Sequence, residues 1–195
     1  MPQNIRLIAG LGNPGIDYEK TRHNIGFIII DELSRYFSIP FTGKRFGALT
    51  GHGFIEDIEV FLVKPIEFMN RSGPPVYLLS KYMGICIRDI IVIHDDMDLD
   101  YGRIKIKEKG GYGGHKGIKS LIDTFEGDDF VRLRMGIGRP DPEVNVIDHV
   151  LGRFDPDKEK KTNQLFTQAR EAIVTILCKG TKEGMNAFNR KILIV

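Results

Sequence analysis

The amino-acid sequence predicts an α/β fold in which residues 1–195 form a single-domain sandwich with a central mixed, mostly parallel sheet flanked by helices. Short runs rich in Ile and Val alternate along the chain with segments of helical periodicity. No Ser- or Pro-rich linker, internal repeat or low-complexity tract divides the sequence, and 195 residues suit one domain of ordinary size.

The first half of the chain alternates predicted strands with predicted helices. Residues 5–9, 58–63 and 90–93 are short apolar runs of the kind found in strands that are buried on both faces of a sheet. Residues 26–37 are apolar around much of a helical surface, which predicts the first helix. Residues 76–83 predict the second helix, because Pro74 and Pro75 stand near its start, where proline is tolerated.

The second half continues this alternation. Residues 103–109 alternate basic and apolar side chains with the period of a strand, and residues 132–137 again have the composition of a strand. Between them, residues 116–125 carry apolar side chains at the spacing of an amphipathic helix. These side chains are Ile118, Leu121, Ile122 and Phe125. A long helix is predicted to begin at Asp155-Pro156, with Asp as N-cap and Pro in the first turn, and to end at Gly180.

Composition and charge exclude several classes of protein. Hydrophobic residues make up 42% and charged residues 28%, as expected of a soluble globular protein. No apolar run reaches the roughly 18 residues of a membrane helix, and the first residues lack the apolar core of a signal peptide. These features predict a cytoplasmic protein with no membrane association. The formal charge of +2 does not by itself indicate a nucleic-acid partner.

The cysteines Cys86 and Cys178 do not form a disulfide framework, which would need more cysteines in a shorter chain. Each has apolar neighbours in the sequence, so both are predicted to be small buried side chains.

Polar side chains gather directly after three predicted strands. Asn13 follows residues 5–9, Asn70 follows residues 58–63, and His94-Asp95-Asp96 follows residues 90–93. Ligands of open α/β sheets bind outside the carboxyl ends of the strands. If these strands are parallel, the three groups meet at one edge of the sheet and form a site there.

The loop over residues 10–15 matches the pattern G-x-G-x-x-G after a strand, so a dinucleotide site has to be considered. That site requires a helix to begin in the loop, and residues 16–23 are polar without a helical stripe. It also requires an acidic residue at the end of a second strand, but the corresponding positions lie within a predicted helix. We therefore interpret the loop as a tight turn that uses glycine for positive φ and presents Asn13 to a cleft. No cofactor is predicted.

His23 and Asp95 are candidates for a general-base pair. A carboxylate would hold one imidazole N–H and stabilise the imidazolium, which leaves the other nitrogen free to take a proton from water. The alternatives are ordinary ones, since a single His often lies on the surface or at a helix end and an Asp after a strand often caps a turn. Spacing in the sequence does not decide between them.

The sequence disfavours both a metal-binding site and a serine nucleophile. The pattern Asp96-x-Asp98-x-Asp100 resembles the start of a calcium loop, but Tyr101 stands at its glycine position and Lys107 at its bidentate Glu position. No His or Cys cluster has zinc spacing, and no G-x-S-x-G elbow is present. No metal is predicted.

Basic residues are concentrated near the second half of the predicted sheet. Alternation places one set on a single face of its strand. This set is Arg103, Lys105, Lys107 and Lys109. Arg132 and Arg134 share a face in the same way. Two interpretations remain open, a solvated strand face and a phosphate-binding stripe that tolerates any nucleic-acid sequence.

Together these segments resemble bacterial-type peptidyl-tRNA hydrolases over nearly the whole chain. Any one motif is weak, but their order and spacing are specific. The matching residues are Gly10-Leu11-Gly12-Asn13-Pro14-Gly15 with Tyr18 and Thr21-Arg22-His23-Asn24, Lys64-Pro65 with Phe68-Met69-Asn70 and Ser72-Gly73, His94-Asp95-Asp96-x-Asp98, Gly110-Gly111-x-Gly113-Gly114-His115-x-Gly117, Arg132-Leu133-Arg134-x-Gly136-Ile137-Gly138-Arg139-Pro140, and Val150-Leu151-Gly152.

The resemblance implies a monomeric, metal-free enzyme that hydrolyses the ester between a peptide's C-terminus and the 3′-ribose of tRNA, and so recycles tRNA from stalled translation. It implies His23 as the base that activates water and Asp95 as the group that orients His23. It further implies a substrate-binding set of Asn13, Tyr18, Phe68, Asn70 and Lys116, and a tRNA phosphate-binding set of Lys105, Lys107 and Arg134. Lys107 and Arg134 match the positions that hold the 5′-terminal phosphate.

Lys116 departs from the family pattern, which has Asn after the histidine of this motif. An amide both donates and accepts hydrogen bonds, whereas an ammonium only donates. Lys116 is therefore expected to stabilise an oxyanion but not to accept a proton from water, and activity is expected to be retained but altered. The alternative is a non-catalytic RNA-binding relative that has lost hydrolysis. The sequence also leaves open whether residues 141–150 form a mobile lid and whether loops 110–114 and 139–142 act as gates.

Overall fold

A computed structural model describes residues 5–190 of the chain, and these residues form an α/β/α sandwich. The strands are β1 Ile5–Gly10, β2 Phe41–Arg45, β3 Ala48–Ile55, β4 Ile58–Pro65, β5 Ile90–Asp96, β6 Ile104–Lys107 and β7 Val131–Gly136. The helices are α1 Ile25–Tyr36, α2 Gly73–Met83, α3 Lys116–Phe125, α4 Val146–Leu151, α5 Glu159–Lys179 and α6 Thr181–Phe188.

The strands form one sheet of seven in the order β2-β3-β4-β1-β5-β7-β6. The central strands β4, β1, β5 and β7 are parallel to one another. The outer pairs β2–β3, β3–β4 and β6–β7 are antiparallel. Because β3 and β6 are the strands that run against the others, the sheet is mixed and mostly parallel, as predicted.

Helices cover both faces of the sheet because the central strands are apolar on both sides. Alternate residues of a strand point to opposite faces, so Ile8 packs with α1 and α5, whereas Leu7 and Ala9 pack with α2 and α3. The carboxyl ends of β1, β4 and β5 therefore form an edge between two layers of helices, and this edge holds the candidate site.

The predicted elements are confirmed with small changes at their ends. The strand predicted over residues 103–109 is shorter, since β6 covers only Ile104–Lys107. The long helix is preceded by a 3-10 turn, Pro156–Lys158, which the Asp155 side chain caps, and Gly180 follows the end of α5. The sequence did not predict the β2–β3 hairpin, α4 or α6.

One interpretation of small residues is wrong, and a second holds for one glycine only. Cys86 and Cys178 are exposed rather than buried. In the loop over residues 10–15 only Gly15 has positive φ, so the reason for the other glycines is different. A Cβ on Gly10 would lie 2.2 Å from the Gly26 carbonyl oxygen, and a Cβ on Gly12 would lie 2.6 Å from the Phe27 ring. These glycines let α1 lie directly on the end of β1.

Across residues 5–190, no helix combines the length and the apolar character that crossing a membrane requires.

Gly26→Ala is expected to lower the free energy of unfolding by about 1–3 kcal/mol, because the added Cβ has no room. It would lie 2.3 Å from the Leu11 nitrogen and 2.5 Å from the Ile93 carbonyl oxygen, both of which are backbone atoms. Urea unfolding followed by circular dichroism measures the change. Gly127→Ala is the matched control, since its Cβ would meet nothing closer than 3.8 Å. Equal stability of the two variants would contradict close packing at Gly26.

Candidate active site

A cleft of about 400 Å³ lies at the carboxyl ends of β1, β4 and β5. Asn13, Asn70 and the residues after β5 all line it, so the polar groups that follow the three strands do converge. The walls are largely apolar and include Phe68, Met69, Met97, Val146, Ile147, Val150 and Leu151. A few polar groups in a mainly apolar cleft are typical of a ligand site.

Two histidines share one carboxylate oxygen at the floor of this cleft. His23 lies in a 3-10 turn directly before α1, and its Nδ1 is 2.8 Å from Asp95 Oδ1 at the end of β5. His115 lies at the start of α3, and its Nε2 is 2.9 Å from the same oxygen. Asp95 is only 3% exposed, so its remaining interactions with water are few.

Asp95 is ionised in this setting. Burial alone would raise the pKa of Asp95, but the imidazoles of His115 and His23 beside its carboxylate hold that pKa well below its ordinary value. A group with a lowered pKa remains a carboxylate at neutral pH, which suits a residue that has to stabilise an imidazolium.

The adjacent His94 is a buried neutral ring. Burial lowers its pKa well below the ordinary value for histidine. Its Nδ1 is 2.7 Å from the Asp95 carbonyl oxygen, so Nδ1 carries the proton. Its ring also packs edge-on against that of His115, with 4.8 Å between centroids. These contacts hold His94 and His115 in fixed orientations below the cleft.

The side chain of Asn13 is oriented by two neighbouring elements. Its Oδ1 accepts a hydrogen bond of 2.8 Å from the Met69 N–H, which leaves Nδ2 as the group that it offers to a ligand. The Asn24 side chain bonds both the N–H and the carbonyl of Asn13, each at 2.9 Å. Asn24 is thus a positioning residue at the start of α1 that the sequence did not identify.

A second, smaller cavity of about 240 Å³ adjoins the cleft and carries basic side chains. Lys107 from β6 and Arg132 and Arg134 from β7 line it. The guanidinium of Arg132 is buried and donates to the carbonyls of Gly111 and Asp128. Arg134 forms an ion pair with Asp96, which lines both cavities. Cations around a small pocket fit an anion such as a phosphate.

Comparison with known proteins identifies the family. Residues 7–193 match the family model described as peptidyl-tRNA hydrolase. The chain belongs to the peptidyl-tRNA hydrolase family. It is 44% identical over 183 residues to the peptidyl-tRNA hydrolase of Clostridium tetani, which covers 94% of this chain and 96% of that protein. It is 46% identical over 184 residues to that of Bacillus pumilus, covering 94% of this chain and 98% of the relative.

Solved structures of peptidyl-tRNA hydrolases have the same fold as this chain. The crystal structure of the enzyme from Acinetobacter baumannii superposes with a TM-score of 0.86 at 36% identity and covers 96% of both chains. A complex of a peptidyl-tRNA hydrolase with n-propanol superposes with a TM-score of 0.88 at 35% identity and covers 98% of both.

Most residues that the sequence pointed to for hydrolase function lie together. His23, Asp95, Asn13, Asn70, Phe68 and Lys116 all line the cleft. Phe68 is 56% exposed and so presents an aromatic face at the cleft entrance. Lys116 is the first residue of α3, and within residues 5–190 its ammonium has no carboxylate at ion-pair distance.

Tyr18 and Lys105 occupy other positions. Tyr18 does not line the cleft, and its carbonyl instead accepts hydrogen bonds from the backbone and hydroxyl of Thr21. A substrate-binding role for Tyr18 is therefore not supported by its position. Lys105 pairs in register with Arg134 but does not line the basic cavity, where Lys107 does.

Residues 141–150 include all of α4 except its last residue, and α4 forms one wall of the cleft. The Arg22 guanidinium donates to the His149 carbonyl, and the His149 ring bonds the Gly138 carbonyl, so the carboxyl-terminal part of this wall contacts the body of the protein through His149. Movement of this segment as a lid stays a prediction.

Proposed function

We propose that this chain is a peptidyl-tRNA hydrolase, a carboxylic ester hydrolase that cleaves the bond between a peptide's C-terminus and the 3′-ribose of tRNA. The observation that carries the proposal is the His23–Asp95 pair in a cleft reached from solvent. Because Asp95 accepts from Nδ1 of His23, the proton of the neutral ring lies on Nδ1 and Nε2 is left as a base.

In the proposed reaction, Nε2 of His23 takes a proton from a water molecule whose oxygen attacks the ester carbonyl carbon. The carbonyl oxygen becomes an oxyanion in a tetrahedral intermediate. The intermediate collapses as the bond to the 3′-ribose oxygen breaks, and that oxygen takes the proton from the His23 imidazolium. Asp95 remains ionised throughout and stabilises the imidazolium while it exists.

Amide and ammonium groups around His23 suit the binding of the ester. Asn13 offers Nδ2, and Asn70 lines the same cleft. Lys116 supplies a charge-assisted donor, which stabilises a developing oxyanion more strongly than a neutral amide does. Phe68 offers an aromatic surface to a peptide side chain.

The hydrogen-bond pattern supports a reaction without a metal. His23, Asp95 and His115 place three possible ligand atoms within 4.8 Å of one another, which suits a metal at first sight. However, Nδ1 of His115 already accepts from the Gly117 and Ile118 N–H groups. A neutral ring in that arrangement carries its proton on Nε2, so Nε2 has no lone pair for a metal.

The test is release of free tRNA from N-acetylaminoacyl-tRNA by the purified chain, with and without EDTA. We expect release at the same rate in both. Binding of the substrate without release would favour the non-catalytic RNA-binding relative and make Lys116→Asn the first variant to examine. Release that stops in EDTA and returns with a divalent cation would contradict the metal-free reaction. Absence of both binding and release would reject the proposal.

We also propose that Lys107 and Arg134 hold a terminal phosphate of the tRNA in the basic cavity. Arg134→Ala is expected to raise KM by about tenfold with kcat nearly unchanged, and to reduce the slope of log KM against log salt by about 1. Arg88→Ala is the matched control, because Arg88 pairs with Asp129 on the surface outside both cavities. Equal salt slopes for the two variants would contradict a phosphate contact at Arg134.

Three further expectations belong to this proposal. A monomer is the oligomeric state that the resemblance to the family implies. A family match from residue 7 to residue 193 supports one domain over the whole chain. A substrate produced by translation supports action in the cytoplasm.

A further inference from the structure

Both ring nitrogens of His115 are engaged, and they contact different parts of the fold. Nδ1 accepts the N–H groups of Gly117 at 3.1 Å and Ile118 at 3.2 Å, so the ring is the N-cap of α3. Nε2 lies 2.9 Å from Asp95 Oδ1. A histidine in this position is unusual, since helices prefer Ser, Thr, Asp or Asn as N-cap.

The cap determines which nitrogen carries the proton. A nitrogen that accepts from backbone N–H groups must present a lone pair, so Nδ1 is unprotonated and Nε2 carries the hydrogen. Adding a second proton at Nδ1 would break the cap and place a cation at the positive end of the helix. The cap therefore favours the tautomer that has a bare Nδ1 and an Nε2–H directed at Asp95.

We propose that His115 is a positioning residue whose helix cap fixes its tautomer and so limits how strongly Asp95 attracts the proton of His23. The inference rests on the proposed function for its kinetic readout. Asp95 Oδ1 accepts from both rings, and each hydrogen bond donated to a carboxylate lowers its basicity, so the bond from His115 weakens the attraction of Asp95 for the proton of His23. His115 in this way keeps His23 from becoming too readily protonated to act as a base.

The groups around His115 are compatible with this role. The rings that pack against it are His23, with centroids 5.1 Å apart, and the buried His94. Asp95 is the carboxylate that faces it, and Lys116 follows it in α3. Its side chain is only 8% exposed, so water does not replace the contacts that fix the ring.

Two variants separate the nitrogens of His115. His115→Asn keeps a favoured N-cap, because an Asn side-chain oxygen lies close to the place of Nδ1, but the side chain is too short to reach Asp95. His115→Gln extends an amide N–H toward the place of Nε2 but gives a poor cap. If His115 acts only as a helix cap, His115→Gln should lower stability and activity, and His115→Asn should resemble the wild type. If His115 acts on Asp95, His115→Asn should change the pH dependence of activity, and His115→Gln should keep it.

We expect His115→Asn to move the acidic midpoint of kcat/KM against pH upward by roughly half a pH unit or more, because Asp95 then stabilises the His23 imidazolium more strongly. His115→Gln is expected to keep the wild-type midpoint and to lower Tm by about 2–4 °C. An unchanged midpoint in His115→Asn, or the same shift in both variants, would overturn the proposal.

The tautomer can be tested without any activity. Long-range ¹H–¹⁵N spectra of the wild type distinguish protonated from unprotonated ring nitrogens. We expect His115 to show Nε2–H and a bare Nδ1 at neutral pH. A His115 ring that is protonated at Nδ1 near neutral pH would overturn the proposal even if the chain hydrolyses peptidyl-tRNA as proposed. A chain that shows the expected tautomer but no hydrolysis would instead reject the proposed function.

Discussion

Asp95→Asn is expected to lower kcat for N-acetylaminoacyl-tRNA by about 10³–10⁴-fold, the size of effect seen when the carboxylate of a carboxylate–histidine pair is made neutral. The amide is nearly the same size as the carboxylate but carries no charge, so the His23 imidazolium loses its counter-ion. The amide can also turn an N–H toward Nδ1 of His23 and so leave Nε2 protonated and unable to act as a base.

Single-turnover rates at saturating substrate measure the effect, because they separate chemistry from product release. The matched control is Asp123→Asn, which neutralises an exposed carboxylate paired with Lys119 on α3. Because the pKa of Asp95 is held well below its ordinary value, protonation of Asp95 does not set the acidic limb of the wild-type pH profile. Loss of its charge in Asp95→Asn should still displace that limb, because the carboxylate favours the protonated form of the neighbouring imidazole. A loss smaller than about tenfold would show that Asp95 is not the partner of the base.

The centre of the fold could be predicted from the sequence because buried parallel strands are continuous apolar runs. Residues 5–9, 58–63 and 90–93 are of this kind, and the convergence of Asn13, Asn70 and Asp95 followed from the direction of those strands. The β2–β3 hairpin lacks this signal. It contains Gly43, Gly51 and Gly53, and its outer strand is largely exposed.

Errors arose where neighbours in the sequence were taken as neighbours in space. Ile176 and Leu177 are buried on α5, but Cys178 is one further step of about 100° around the helix and faces solvent. The close approach of Gly10 to Gly26 likewise depends on how α1 lies on β1, which composition does not reveal.

The parts of the site that the sequence missed act through tertiary contacts. Asn24 matters because its side chain reaches back to Asn13, and His115 because it bridges the start of α3 and Asp95. Asn24 and His115 both lie in motifs that resemble those of the family, but the spacing of those motifs does not predict which residues they contact. A histidine at a predicted helix start, directly after a glycine-rich loop, is the signal that could have drawn attention to His115.

His23→Ala is expected to lower kcat by about 10²–10⁴-fold, because removal of the base leaves only binding and oxyanion stabilisation. KM should change little, since the imidazole is assigned to the water and not to the tRNA. His52→Ala is the matched control, because His52 lies on β3 outside the cleft and bonds Glu59 on the neighbouring strand.

The double variant His23→Ala with Asp95→Asn gives the sharper result. If Asp95 acts only through His23, its substitution has no further effect once His23 is gone, and the double variant should be about as slow as His23→Ala alone. Single-turnover rates for the four proteins of this cycle measure the coupling. Losses that multiply would mean that Asp95 contacts the substrate or the water directly. The hydrogen bond from His23 to Asp95 would then have a structural role only. The general base would have to be another of the groups that line the cleft.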